Sequence, residues 1–171
     1  MMYKVAQLSR KAFLARYSDV FEHSSWIAEK VWDSGLDQQA TAEGLHAAFG
    51  NFILEATPEQ QLALLNAHPE LAVAVQKQQD LTADSQSEQS GAGLDRCTTE
   101  EFEEFQRLNS SYREKFGFPF IMAVRGKDRR QILNAFRARL ANSRGEEFQT
   151  ALAQVLLIGK FRIFERFEEP V

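Results

Sequence analysis

Histidines are the side chains of this sequence best suited to move protons near neutral pH, and there are three of them. His23 and His46 lie where local structural roles explain them. His68 differs because Pro69 follows it, and a proline disfavours helical geometry at the residue before it. Its ring is therefore expected to project from a rigid corner at a helix end. On the residues alone, both a structural role and a general acid/base role remain open for His68.

Two arginines stand out because apolar residues surround them in the sequence. Arg125 follows an apolar run, and Arg162 lies between Phe161 and Ile163. Each can snorkel off a core helix, or it can bind a carboxylate or another planar acceptor through two nitrogens. Glu88 lies in a polar stretch, where a carboxylate is ordinarily solvated.

Several familiar chemistries have no support in the sequence. The one cysteine, Cys97, excludes an intrachain disulfide and a multi-cysteine metal site, and it is expected to serve packing. No His-x-x-x-His or Glu-x-x-His spacing occurs, so no metal site is predicted. No Gly-x-Ser-x-Gly elbow is present, and the glycines at 91 and 93 lack the strand and the third glycine of a dinucleotide site.

The charge balance argues against a nucleic-acid partner. The 171 residues contain 20 Lys and Arg against 24 Asp and Glu, which gives a formal net charge of −4 and no excess of basic groups to neutralise phosphates. No apolar run approaches the roughly 20 residues that span a bilayer. The N-terminal residues do not resemble a secretory signal. We expect a cytoplasmic protein with no membrane and no nucleic-acid partner.

Apolar residues recur along most of the chain at the spacing of amphipathic helices. Capping boxes at Thr57–Gln60 and Thr98–Glu101 and the cap residue Asp128 mark three helix starts. A last long helix is expected from about 143–146 and can continue to Phe167. The pattern predicts an all-α fold, a single compact domain over 1–171 with about seven to eight helices and no significant sheet.

Three stretches depart from this regular pattern. A short helix is expected from Glu70 to about Gln79. Residues 80–96 are polar and contain glycine, which predicts an inter-helix loop that is either solvated or functional, since long loops in compact domains often carry chemistry. Residues 118–124 are the one strand-like piece, and Pro119 argues against a central strand.

Four short motifs follow one another in the order and spacing of a single family. They are Phe21–Ser24 with Trp26, His68–Ala72, Ser85–Gln89 leading to Leu94, and Phe116–Phe120 continuing to Gly126. Together they resemble the 2-oxo-4-hydroxy-4-carboxy-5-ureidoimidazoline (OHCU) decarboxylases, which act last on the route from urate to (S)-allantoin. The resemblance extends from about Leu8 to Phe167. Ser25 departs from it, since many members have proline there.

The resemblance implies an all-helical, cofactor-free lyase that is typically a homodimer, with no metal. It implies His68 as the catalytic histidine, a functional arginine at Arg162, and a role for Glu88 in holding the substrate. The implied substrate-binding positions are Pro69, Ser85, Gln86, Ser87, Glu88, Gln89, Phe120, Ile121, Met122, Ala123 and Val124.

The small-molecule ureidoimidazoline substrate explains why a modest site suffices. Its carboxylate leaves from a carbon next to a ring C=N, which accepts the electron pair, so no organic cofactor is needed. His68 would then move protons, Glu88 would accept from ureido N–H groups, and Arg162 would balance negative charge. Two alternatives remain open: a catalytically inactive helical interaction module, and a lyase or hydrolase acting on a related ureide.

Overall fold

The computed structural model describes residues 5–36 and 40–169, which contain a 3-10 turn, nine α-helices and no strand. The turn is Val5–Gln7, and the helices in chain order are α1 Arg10–Tyr17, α2 Trp26–Asp33, α3 Ala42–Leu54, α4 Pro58–Ala67, α5 Val75–Gln78, α6 Ala83–Gly91, α7 Thr99–Phe116, α8 Arg129–Arg139 and α9 Arg144–Glu168. Because α5 is a single turn, eight longer helices remain, and the predicted all-α class is confirmed. In these ranges no helix combines the length and the apolarity that crossing a membrane requires.

The predicted helix starts are correct because each is encoded locally. At α4, Thr57 Oγ1 accepts from the Gln60 N–H at 3.2 Å. At α7, Thr98 and Glu101 form both hydrogen bonds of a capping box. The backbone hydrogen bond from Thr98 and the contact with Arg129 lower the pKa of the Glu101 carboxyl, so its charge is retained at neutral pH.

The described residues form two compact units: one runs up to Ala67 and resumes at Leu156, and the other is His68–Val155. In the first unit, Phe13 and Tyr17 of α1 pack with ring centroids 5.0 Å apart. Phe49 of α3 lies 6.4 Å from Tyr17. Gly159 of α9 accommodates the Phe21 ring, since a Cβ at this position would collide with it.

In the second unit, aromatic rings of α7 and α8 hold a non-helical segment. Phe120 stacks on Phe136 of α8 at 3.9 Å with an interplanar angle of 8°. Tyr112 of α7 meets Phe120 at 5.5 Å in an edge-on arrangement. Phe120 thereby anchors residues 118–124 to the core of this unit.

The expected loop over 80–96 is wrong in its central part, because helix α6 occupies Ala83–Gly91. Thr82 caps the helix by accepting from the Ser85 N–H at 3.2 Å. The buried side of α6 carries the polar residues Ser85 and Gln89, so a search for apolar periodicity does not detect it.

The expected helix from Glu70 to Gln79 is wrong except for the single turn α5. Residues 69–74 are not helical, and Ala72 has a φ of 54°, in the left-handed region that ends a helix. The strand-like stretch after Phe118 is neither helix nor strand and pairs with no strand in the described ranges.

Candidate active site

His68 lies where the sequence predicts, immediately after α4 ends at Ala67. Its side chain is buried, with 5% of the residue exposed. Pro69 follows and begins the non-helical segment 69–74. A buried imidazole at a fixed corner can exchange protons with a bound molecule without first losing a solvent shell.

Gln89 of α6 fixes the backbone that follows His68. Its Oε1 accepts from the Ala72 N–H at 3.1 Å, and its Nε2 donates to the Glu70 carbonyl at 3.2 Å. One amide side chain thus replaces two helical hydrogen bonds. The side chain of Gln89, expected to bind substrate, holds this segment.

Two side chains of α7 also form hydrogen bonds with the segment that follows His68. Asn109 Nδ2 donates to the Leu71 carbonyl at 3.0 Å, and Gln106 Nε2 donates to the Ala72 carbonyl at 3.0 Å. Asn109 is buried. These bonds stabilise the left-handed conformation of Ala72, which would otherwise cost on the order of 1 kcal/mol.

Helix α6 divides its predicted site residues between two faces. Ser85 and Gln89 are buried and Glu88 is half-buried, all on one side of the helix. Gln86 and Ser87 are exposed, and Gln86 Nε2 donates to the Leu81 carbonyl at 3.1 Å.

The predicted substrate-binding segment Phe120–Val124 is buried apart from Met122, which is half-buried. Arg139 Nη1 donates to the Ile121 carbonyl at 2.7 Å, and the Ala123 N–H donates to Gln154 Oε1 at 2.9 Å. The segment therefore has fixed contacts with α8 and α9.

A buried carboxylate holds Arg139 in place. Glu147 is fully buried and accepts from Arg139 Nε at 3.0 Å, from Asn142 Nδ2 at 2.9 Å and from the Tyr112 hydroxyl. Burial, together with the hydrogen bond to Glu147, raises the pKa of Tyr112, so the hydroxyl remains a donor. The guanidinium also lies 4.3 Å from the centre of the Phe120 ring.

Arg162 belongs to the other unit. It is buried, as the surrounding apolar residues predict, and its Nη1 lies 3.1 Å from Glu22 Oε1 and donates to the Val20 carbonyl at 2.8 Å. Glu22 is part of the first of the four motifs. The structure thus joins Arg162 to that motif, whereas His68, α6 and the 120–124 segment belong to the unit His68–Val155.

The remaining candidates have local explanations. The ring of His46 contacts the Leu156 carbonyl through Nε2 at 2.8 Å, and His23 is exposed with a φ of 52°. Burial raises the pKa of the Cys97 thiol, which disfavours a nucleophilic thiolate. Arg125 is exposed.

The comparisons with known proteins point to one family. A family model described as OHCU decarboxylase matches residues 6–164. A 2-oxo-4-hydroxy-4-carboxy-5-ureidoimidazoline decarboxylase from Halalkalicoccus jeotgali is 40% identical over 159 residues, which are 93% of this chain and 87% of that protein. A protein of the same name from Haloferax volcanii is 37% identical over 164 residues, 96% of this chain and 94% of its own length.

The chain belongs to the OHCU decarboxylase family. The resemblance inferred from the four motifs is confirmed. A crystal structure of an (S)-allantoin synthase matches with a TM-score of 0.77 at 28% identity, over 95% of this chain and 52% of that one. This chain therefore spans about half the length of that structure's chain.

In this OHCU decarboxylase family member, four residues contact the site segments but are not predicted from the sequence: Gln106, Asn109, Arg139 and Gln154. For Asn109 a signal was available. It lies four residues after Phe105 and three before Tyr112, on the buried stripe of α7, so a polar residue there must bond to something.

Replacing Asn109 by leucine is expected to destabilise the protein by about 1–3 kcal/mol, because the Leu71 carbonyl loses its donor while it remains buried. Urea unfolding followed by far-ultraviolet circular dichroism measures the change. Asn134→Leu is the matched control, since Asn134 is exposed on α8, and it is expected to change stability by less than about 0.5 kcal/mol. Equal effects of the two substitutions would show that Asn109 does not hold the segment.

Proposed function

We propose that this protein catalyses the cofactor-independent decarboxylation of 2-oxo-4-hydroxy-4-carboxy-5-ureidoimidazoline to (S)-allantoin, a carboxy-lyase reaction of urate degradation. The observation that carries the proposal is the family match over residues 6–164, together with decarboxylase relatives of up to 40% identity. The name of the structural relative, (S)-allantoin synthase, supports the product.

The reaction needs positioning more than it needs an activating group. The bond between the ring carbon and the carboxylate breaks, carbon dioxide leaves, and the electron pair moves into the adjacent C=N, whose nitrogen takes up a proton from water. The resulting enol then loses its hydroxyl proton while the neighbouring carbon gains one. The substrate is therefore its own electron sink, and the protein must hold it still and deliver one proton to one face.

His68 is the group we assign to this proton transfer. Two observations support the assignment: His68 is buried, and the Gln89 amide forms hydrogen bonds with the backbone of residues 70 and 72. Both matter because a general acid/base must stay within hydrogen-bond reach of the reacting atoms. An imidazole titrates near neutral pH and so can take the hydroxyl proton and return one to carbon.

Glu88 is proposed to accept hydrogen bonds from the ureido N–H groups. Its position on the same side of α6 as Ser85 and Gln89 supports this role, since the side chain of Gln89 contacts the segment that follows His68. A carboxylate that accepts two N–H groups of a ureido group fixes both its position and its orientation.

Three further parts belong to the proposal. Arg162 is proposed as the functional arginine, the protein is proposed to form a homodimer, and it is proposed to act in the cytoplasm. Sedimentation equilibrium tests the second of these, and cell fractionation tests the third. The role of Arg162 is tested by Arg162→Lys, which keeps the positive charge but not the planar guanidinium with its paired N–H donors, and loss of turnover is expected.

The activity is tested by generating the substrate from urate with a urate oxidase and the hydrolase that follows it. Circular dichroism then reports the optical activity of the allantoin formed. Spontaneous decay gives a racemate, so a growing (S)-allantoin signal that depends on protein concentration is the expected result. A signal equal to that of the protein-free reaction would contradict the decarboxylase and favour an interaction module or an activity on a related ureide.

His68→Asn is expected to lower kcat by about 10²–10⁴-fold while KM changes little, because asparagine keeps a hydrogen-bonding group but cannot exchange a proton near pH 7. The ionisation near neutral pH in the kcat profile is expected to disappear as well. The same circular dichroism assay measures both effects, with thermal melts to confirm folding.

His23→Asn is the matched control, since His23 is exposed and asparagine tolerates its left-handed backbone. It is expected to retain the activity of the unsubstituted protein. A folded His68→Asn variant with that same kcat would remove His68 from the mechanism.

A further inference from the structure

The segment Phe120–Val124 is non-helical and buried apart from the half-buried Met122, and in the described ranges it pairs with no strand. Its peptide groups must therefore be satisfied in another way, because a buried N–H or C=O without a partner costs about 1–3 kcal/mol. The side chains that contact it determine which peptide groups remain available for a ligand.

In a planar trans peptide, the C=O of one residue and the N–H of the next point in opposite directions. Two peptide groups of this segment are bonded by side chains. Arg139 Nη1 donates to the Ile121 carbonyl at 2.7 Å, and the Ala123 N–H donates to Gln154 Oε1 at 2.9 Å. Side chains of α8 and α9 thus occupy these two groups.

Met122 lies between these two residues, so its N–H points away from the bonded Ile121 carbonyl and its C=O points away from the bonded Ala123 N–H. Within the described part of the chain, neither its N–H nor its C=O is hydrogen-bonded to another residue. One donor and one acceptor on the same residue match the adjacent N–H and C=O of a ring amide, as found in an oxo-imidazoline.

We propose that Gln154 is a positioning residue that fixes the register of this segment, so that the peptide groups of Met122 meet the ring of the substrate. This inference rests on the proposed function. Phe120 and Arg139 anchor the start of the segment, and Gln154 anchors its second half. Without the acceptor at Gln154, the peptide between Met122 and Ala123 can rotate. The direction of the Met122 carbonyl relative to the ring is then no longer defined.

The experiment compares Gln154→Met with the unsubstituted protein in the allantoin assay. Methionine keeps the length and volume of glutamine but cannot accept the Ala123 N–H. Loss of this hydrogen bond is expected to raise KM by about 3- to 10-fold with kcat within about twofold, because ring binding weakens while proton transfer at His68 persists. Hydrogen exchange at the Ala123 amide is expected to accelerate in parallel.

Gln149→Met is the matched control, since Gln149 lies on the same helix with its side chain exposed. It is expected to leave KM unchanged. Gln154→Asn provides a second variant that stays polar but withdraws the acceptor by one methylene, and it is also expected to raise KM.

Unchanged KM in both folded Gln154 variants, with active unsubstituted protein, would overturn the proposal for Gln154. A fall in kcat at constant KM would also overturn it, because that pattern indicates a general structural effect. Inactive unsubstituted protein would instead overturn the proposed function, while exchange at Ala123 would still report on the hydrogen bond.

Discussion

The hydrogen bonding of buried, non-helical backbone is the constraint on which the rest of this structure depends. Helices satisfy their own peptide groups, but residues 69–74 and 118–124 leave the helical pattern in a unit that has no sheet among its described residues. Several of their N–H and C=O groups are bonded instead by amide and guanidinium side chains of α6, α7, α8 and α9. Both segments carry residues assigned to the proposed site.

This constraint explains why polar residues occupy buried faces of helices. Asn109 lies on the buried stripe of α7 because the Leu71 carbonyl requires a donor. Glu147 is fully buried because it holds Arg139, which in turn bonds Ile121. A buried carboxylate is costly unless it is paired and hydrogen-bonded, and the contacts with Arg139, Asn142 and Tyr112 offset that cost. The result is a backbone fixed well enough to orient a ligand, which a reaction dependent on positioning requires.

The features that could be predicted from the sequence are those that neighbouring residues determine. The caps at Thr57, Thr98 and Asp128 and the end of α4 before Pro69 depend on a few adjacent residues, and all are confirmed. Helix α6 was missed because its buried face is polar. The sequence pattern predicts a helix from Glu70 to about Gln79, whereas the left-handed Ala72 is imposed by Gln89 and α7 from outside the segment. The four motifs identified the family correctly, but the residues that support the site act through tertiary contacts that no single motif contains.

The proposed contact between the substrate ring and the main chain of Phe120–Val124 is tested most directly by amide resonances. Uniformly ¹⁵N-labelled protein is titrated with (S)-allantoin, and the backbone ¹H–¹⁵N signals are followed. We predict a saturable shift of the Met122 amide and a smaller change at Ala123, whose N–H is already bonded to Gln154. A saturable response that leaves Met122 unshifted, or no saturable response at any residue, would contradict binding of the ring by the main chain.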